Sequence, residues 1–183
     1  MTKRMLLAEA LCVMAFCVMP ATSVVAQSRP DVAAQREAMQ KLAFLVGRWT
    51  GEATVATGPE GPRRVEQTED VQFKLDGLVL LIEGTGRNPV SGAVEFNALA
   101  TVSFDEASGA YRFRAYSGGN YVETVLTLRD RGLEWGFTAG PATVTNTMHL
   151  DDTGQWVEVT DVVINGGPPR RTTELRVRKQ VAP

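Results

Sequence analysis

The sequence predicts an all-β protein: an antiparallel up-and-down barrel of about ten strands, preceded by one short N-terminal helix. Three observations carry that expectation. From Trp49 onward apolar residues alternate with polar ones in short runs, and clusters of turn residues recur roughly every 8–12 positions. Asp76-Gly77 sits between two apolar runs and is the strongest short hairpin motif in the chain. No second helical pattern interrupts the series, which disfavours a parallel sheet, whose strands need long crossovers. A meander joined by hairpins closes most simply into a barrel, because closure removes exposed strand edges.

The N-terminus reads as a secretory leader. Lys3 and Arg4 precede an apolar run from Met5 to Met19 broken only by Glu9, Pro20 ends it, and Val24-Val25-Ala26 offers small residues at a cleavage site after Ala26. The run is shorter than the roughly 20 residues a spanning helix needs. The expected divisions are a signal peptide over 1–26, a lead and helix over 27–40, and the barrel over 41–183. The product is expected to be periplasmic or secreted, with no stable membrane insertion after cleavage.

Both cysteines, Cys12 and Cys17, fall in the leader, and neither follows an apolar-small-small lipoprotein pattern. Cleavage would leave no thiol, removing disulfides, thiolate nucleophiles and cysteine-ligated metals together. The remaining 157 residues hold 17 basic and 20 acidic side chains, a net charge of −3. That balance gives no electrostatic footprint for nucleic acid. A chain of this length can bury roughly 70% of its unfolded surface as one domain.

Asp31 after Pro30 can cap a helix, and Met39, Leu42, Phe44 and Leu45 supply its apolar end. Gly47 is the expected stop, giving three to four turns. Trp49, Gly51, Ala53 and Val55 then alternate with polar neighbours as a first strand. A loop over 57–62 leads to Val65–Leu75. With a two-residue turn at Asp76-Gly77, Leu75 faces Leu78, Phe73 faces Leu80 and Val71 faces Ile82 on a core face. The other face pairs Lys74 with Val79, Gln72 with Leu81 and Asp70 with Glu83. Val79 and Leu81 lack apolar partners there, so the helix or a second subunit is expected to cover them, which would allow a homodimer. Asp70 opposite Glu83 sets like charges side by side, tolerable where water solvates them. Further strands follow through Val94–Phe104, Tyr111–Ala115, Tyr121–Arg129, Leu133–Phe137, Thr143–Leu150, Trp156–Ile164 and Thr172–Lys179.

Phe44-Leu-Val-Gly-Arg-Trp-Thr-Gly-Glu52, with Gly47-x-Trp49 opening the first strand after a helix, resembles the lipocalin-like (calycin) barrels. With Leu75-Asp-Gly-Leu78 and Glu174-Leu-Arg-Val-Arg178, it is most similar to an uncharacterised bacterial family of such barrels, related to nitrobindin-type haem barrels. The resemblance spans roughly residues 40–180. It implies that a basic residue of the last strand, Arg176 or Arg178, packs over Trp49 and closes the barrel. It also implies a haem-ligating His near the C-terminus, but Thr172–Lys179 contains none, so haem and other cofactors are not expected.

His149, the only His, shares a parity with Thr143, Thr145 and Thr147 and is expected to face outward. One His without Cys makes a zinc site unpromising. Ser91, Ser103, Ser108 and Ser117 lack a nucleophile-elbow pattern. Ala53, Ala98, Ala100 and Ala115 take inward positions, which leaves two readings: a cavity able to hold one small ligand, or a core in which aromatic rings fill the alanine space. Trp49, Phe73, Phe96, Phe113 and Trp135 are the candidate walls, and Glu69, on the core parity of its strand, is a candidate polar anchor. The expected function is non-catalytic binding of a small apolar or amphipathic ligand. A packed-barrel cell-envelope interaction module is the alternative, and an enzyme using carboxylates such as Asp70, Glu83 and Glu69 comes third.

Overall fold

The computed structural model describes residues 30–56 and 61–181, so the expected leader with its cleavage site, and part of the 57–62 loop, lie outside the described residues. Ten strands form one closed antiparallel barrel in chain order: β1 Gly47–Val55, β2 Arg63–Lys74, β3 Val79–Arg87, β4 Val94–Asp105, β5 Ala110–Ser117, β6 Asn120–Arg129, β7 Gly132–Ala139, β8 Ala142–Leu150, β9 Trp156–Ile164 and β10 Arg170–Lys179. The seam joins the first strand to the last, from Trp49 opposite Lys179 to Val55 opposite Thr173. Every strand therefore has two neighbours, and the alternation read from the sequence becomes an inside and an outside.

The helix before the barrel plugs one end of it. Helix α1 spans Val32–Gln40, capped by the Asp31 carboxylate, which accepts from the Ala34 N–H at 3.0 Å. It is shorter than the three to four turns expected, because the chain tightens into a 3-10 turn over Ala43–Leu45. Residues three apart eclipse one another in that geometry. Met39, Leu42 and Leu45 thus line up and are fully buried in the barrel end, each such burial stabilising by about 1.5–3 kcal/mol. Gly47, at a φ of 133° that side chains rarely adopt, swings the chain from this plug into β1.

Two buried hydrogen bonds fasten the plug: the Trp49 indole N–H donates to the Leu45 carbonyl at 2.7 Å, and the Tyr111 hydroxyl to the Ala38 carbonyl at 2.7 Å. Trp49 is buried and meets the edge of Trp156, with ring centroids 5.5 Å apart.

The β2–β3 hairpin adopts the register set by its turn, with Phe73 opposite Leu80, Val71 opposite Ile82, Gln72 opposite Leu81 and Asp70 opposite Glu83. Leu75 departs from expectation. It is 71% exposed instead of facing the core. Leu75 and Asp76 both take left-handed backbone (φ 50° and 53°), which turns the Leu75 side chain off the strand face. Helix α1 reaches this turn, the Arg36 guanidinium donating to the Asp76 carbonyl at 2.7 Å, and otherwise packs chiefly on β4. It crosses the barrel end instead of running along the outer face of β3, and Val79 and Leu81 remain half-buried.

Candidate functional site

Above the plug, the inward positions are not uniformly apolar. Gln67 and Glu69 on β2 share the inward parity of Val65 and Val71 and are 4% and 7% exposed. Asn146 on β8, between Val144 and Met148 in parity, is 4% exposed. Glu158 and Thr160 on β9 face the same interior, Glu158 lying opposite Leu175 and Thr160 opposite both Asn146 and Thr173.

Two of these groups are held along their own strand and one pair is held across strands. The Gln67 amide donates to the Glu69 carboxylate at 2.7 Å, the Trp156 indole donates to the Glu158 carboxylate at 3.1 Å, and the Thr160 hydroxyl donates to the Asn146 carbonyl at 2.7 Å. The Asn146 amide nitrogen is buried without a partner. Neither Glu69 nor Glu158 makes an ion pair among the described residues.

Strand β3 makes room for this band with Gly84 and Gly86. A methyl group at Gly84 would lie 2.9 Å from one Glu69 carboxylate oxygen and 3.0 Å from the other, and one at Gly86 would lie 2.8 Å from the Gln67 carbonyl oxygen. Side chains there would contest the space the β2 polar groups occupy.

Burial favours the protonated form of both carboxyls. Removal from water pushes Glu69 up to about 8, against the lowering effect of the Gln67 hydrogen bond, and the nearby Glu158 charge raises it further. Removal from water likewise pushes Glu158 up to about 7, with the Trp156 hydrogen bond opposing it. Both groups can thus exchange a proton near neutrality, or ionise against a bound cation.

An aromatic wall borders these polar groups. Phe113 stacks on Trp135 with centroids 4.4 Å apart, and Trp135 lies 6.2 Å from Phe137. Trp135 is directly opposite Asn146 across β7 and β8. Trp135, Phe137, Glu158 and Thr160 are inward-facing yet only half-buried. In a closed barrel plugged at one end, that solvent access comes through the opposite mouth. At the mouth a recess of 330 Å³ is lined by Val162, Ile164, Gly167, Pro168 and Arg170 on and between β9 and β10.

Of the wall and anchor residues expected from sequence, Glu69, Phe113 and Trp135 line the interior above the plug. Trp49 is sealed into the closed end, Phe73 is half-buried opposite Leu80, and Phe96 is 42% exposed beside Gly86 near the mouth. The closure residues differ from expectation. Lys179, not Arg176 or Arg178, lies over Trp49, its ammonium 5.0 Å from the ring centroid and 3.3 Å from the Phe44 carbonyl. Register decides this: Lys179 is opposite Trp49, while Arg178 and Arg176 pair with Thr50 and Glu52 on outward positions. His149 is exposed on the outer face. Asp70 and Glu83 also face outward, where Gln72 donates to Asp70 at 2.7 Å.

Gln67, Asn146, Glu158 and the two β3 glycines were not expected to matter. Their mark in the sequence is a polar residue or glycine on the otherwise apolar parity of a strand. Among the described residues no group of three or more His, Cys, Asp or Glu side chains is placed to hold a metal ion.

No curated protein is significantly similar to the chain in sequence. Among solved structures, the crystal structure of Rv2717c from M. tuberculosis is similar with a TM-score of 0.60 at 12% identity, covering 79% of this chain and 98% of that one. At that identity the likeness speaks for the fold alone. Residues 34–179, the whole barrel and most of its plugging helix, match the model of the family described as Protein of unknown function (DUF1579), and the chain belongs to that family.

Proposed function

We propose that the protein is an exported, non-catalytic binder of a small apolar or amphipathic molecule held in the mouth half of its barrel. The observation that carries this reading is the half-buried state of inward residues, with Trp135, Phe137, Glu158 and Thr160 reached by solvent above a floor that Trp49, Leu42 and Leu45 fill completely. A concave, largely aromatic wall with a few convergent polar groups is the usual form of a small-molecule site. The resemblance of Gly47-x-Trp49 to the lipocalin-like barrels supports the same reading. Export rests on the leader-like composition of residues 1–26.

Native mass spectrometry of the protein purified from its own periplasm tests it. A co-purifying mass released on denaturation is expected. Recovery only from the cytoplasm would overturn export, and reproducible absence of any added mass, together with failure to bind apolar probes, would overturn binding.

One observation favours a second reading as an interaction module. On the outer face Leu99, Tyr116, Tyr121 and Val125 are 37%, 49%, 52% and 45% exposed, with the tyrosine rings 5.1 Å apart. Sedimentation that shifts with concentration, and is abolished by Tyr116→Arg, would support it.

A further inference from the structure

We propose that the barrel interior recognises a small organic cation: a protonated amine on an apolar body, with a hydrogen-bond acceptor oxygen near it, held between Glu69 and Glu158. The inference rests on the binding reading above and names its ligand class.

Three independent features point to that chemistry. Two carboxyls on inward strand positions, Glu69 and Glu158, have no Lys or Arg paired to either among the described residues. The groups around them supply no cation: β1 contributes Trp49 and Gly51, β3 Gly84 and Gly86, β8 Asn146 and Met148, and β10 Leu175 and Val177. The nearest basic side chain of the closed end, Lys179, is committed to Trp49 and the Phe44 carbonyl. A buried carboxyl such as Glu69, left like this, is stabilised only by its proton or by a bound positive charge, and the half-buried Glu158 stands beside it with no cation of the protein's own.

The second feature is Asn146. Its carbonyl takes the Thr160 hydroxyl, and its amide nitrogen has nothing to donate to although the residue is 4% exposed. A buried unpaired donor is uncommon in a native interior and calls for an acceptor. Asn146 lies diagonally across the β8–β9 pair from Glu158, which sits directly opposite Met148. A ligand oxygen two or three bonds from an ammonium can therefore meet Asn146 while the ammonium meets Glu158.

The third feature is the Phe113–Trp135–Phe137 stack, with Trp135 adjacent to Asn146. An aromatic face attracts an organic cation and packs its apolar body. The polarity of the mouth does not contradict this. Arg63 and Arg171 there are offset by Glu95 and Asp161, and of the arginines at this end that have no ion pair among the described residues, Arg170 lines the mouth recess that an anionic ligand would seek.

Binding a cation would convert the carboxyls to their ionised forms and expel protons. Affinity for an amine that stays protonated should then rise from pH 6 to pH 8.5, and binding should release protons.

Isothermal titration of the protein with three probes of one shape decides it: 2-phenylethylamine, 2-phenylethanol and phenylacetate. At pH 8 the amine should bind roughly tenfold or more tightly than the alcohol, about the worth of one charge-assisted hydrogen bond. Adding a hydroxyl beside the amine (2-amino-1-phenylethanol) should tighten binding further, and Asn146→Leu should abolish that increment. Glu158→Gln and Glu69→Gln should each remove most of the amine's advantage and leave the alcohol's affinity in place. If a variant fails to fold, titration of the unaltered protein in buffers of different ionisation enthalpy still reports the protons released.

Equal binding of alcohol and amine, or no proton release, would overturn the cation assignment while leaving barrel binding intact. Strongest binding by phenylacetate, lost in Arg170→Gln, would move recognition to the rim and also overturn it. Failure of every probe at millimolar concentration would overturn the binding reading itself.

Discussion

Glu69 is where sequence, burial and pH meet in one side chain. An unfolded glutamate titrates near 4.5, and in the fold this one is pushed up to about 8. Between those values the folded state keeps a proton that the unfolded state has lost, so raising the pH favours unfolding. The contribution is fully present below about pH 4.5 and is lost as pH climbs through 8, with Glu158 acting the same way up to about 7. Urea denaturation of the unliganded protein should therefore show stability falling from pH 5 to pH 8 by up to about 1.4 kcal/mol per pH unit for Glu69, with Glu158 adding to the slope up to about pH 7. Glu69→Gln should flatten that slope and stabilise the protein at pH 8; an unchanged slope would mean Glu69 is hydrated in the fold. Gly84→Ala should do the reverse of relieving the site, because a methyl 2.9 Å from the carboxylate oxygen forces Glu69 or β3 to shift. Loss of amine binding with only a small drop in melting temperature is the expected outcome. Sequence parity placed Glu69 inside. Asn146 escaped notice as the one polar residue among Val144, Met148 and Leu150, and Glu158 and Thr160 because β9 mixes polar and apolar residues on both parities; only the pairing of β8 with β9 shows what lies across from them.

Helix α1 and its 3-10 extension act as a stopper more than as a helix in their own right. Nine helical residues are too few for independent stability, so the element is held by Met39, Leu42 and Leu45 in the barrel end. Leu42→Ala should cost about 2–5 kcal/mol by leaving a cavity, measurable as a fall in denaturation midpoint. Asp31→Ala, which removes only an exposed cap, should cost about 1 kcal/mol or less. Comparable losses from both would mean that local helix propensity dominates. The apolar end of this segment was plain in the sequence, but the three-residue spacing of Met39, Leu42 and Leu45 suits either a 3-10 or an α-helical reading. The barrel rim settles which one forms. At the β2–β3 turn the same limit appears: Asp76-Gly77 determined the register correctly, yet nothing local indicated that Leu75 would also turn left-handed.

For the molecule as a whole, alternation in ten runs was enough to foresee an antiparallel barrel, since period-two patterning and short turns leave few other ways to bury one face. The partner of Trp49 was harder to foresee. A shift of one residue along β10 exchanges every inward side chain for an outward one, and the observed seam selects Lys179 over the two arginines.

That seam also governs the order in which the protein can fold. Trp49 must find Lys179 on the last strand of the barrel, so β1 and β9 both remain open edges until that strand has been synthesised and released. Exposed edges of this kind template pairing between chains. A chain ending before Arg170 should therefore lose solubility out of proportion to the few side chains deleted, and supplying residues 170–179 as a separate peptide should restore it. The protein's final ten strand residues would then serve, during its synthesis, as a latch against its own neighbours.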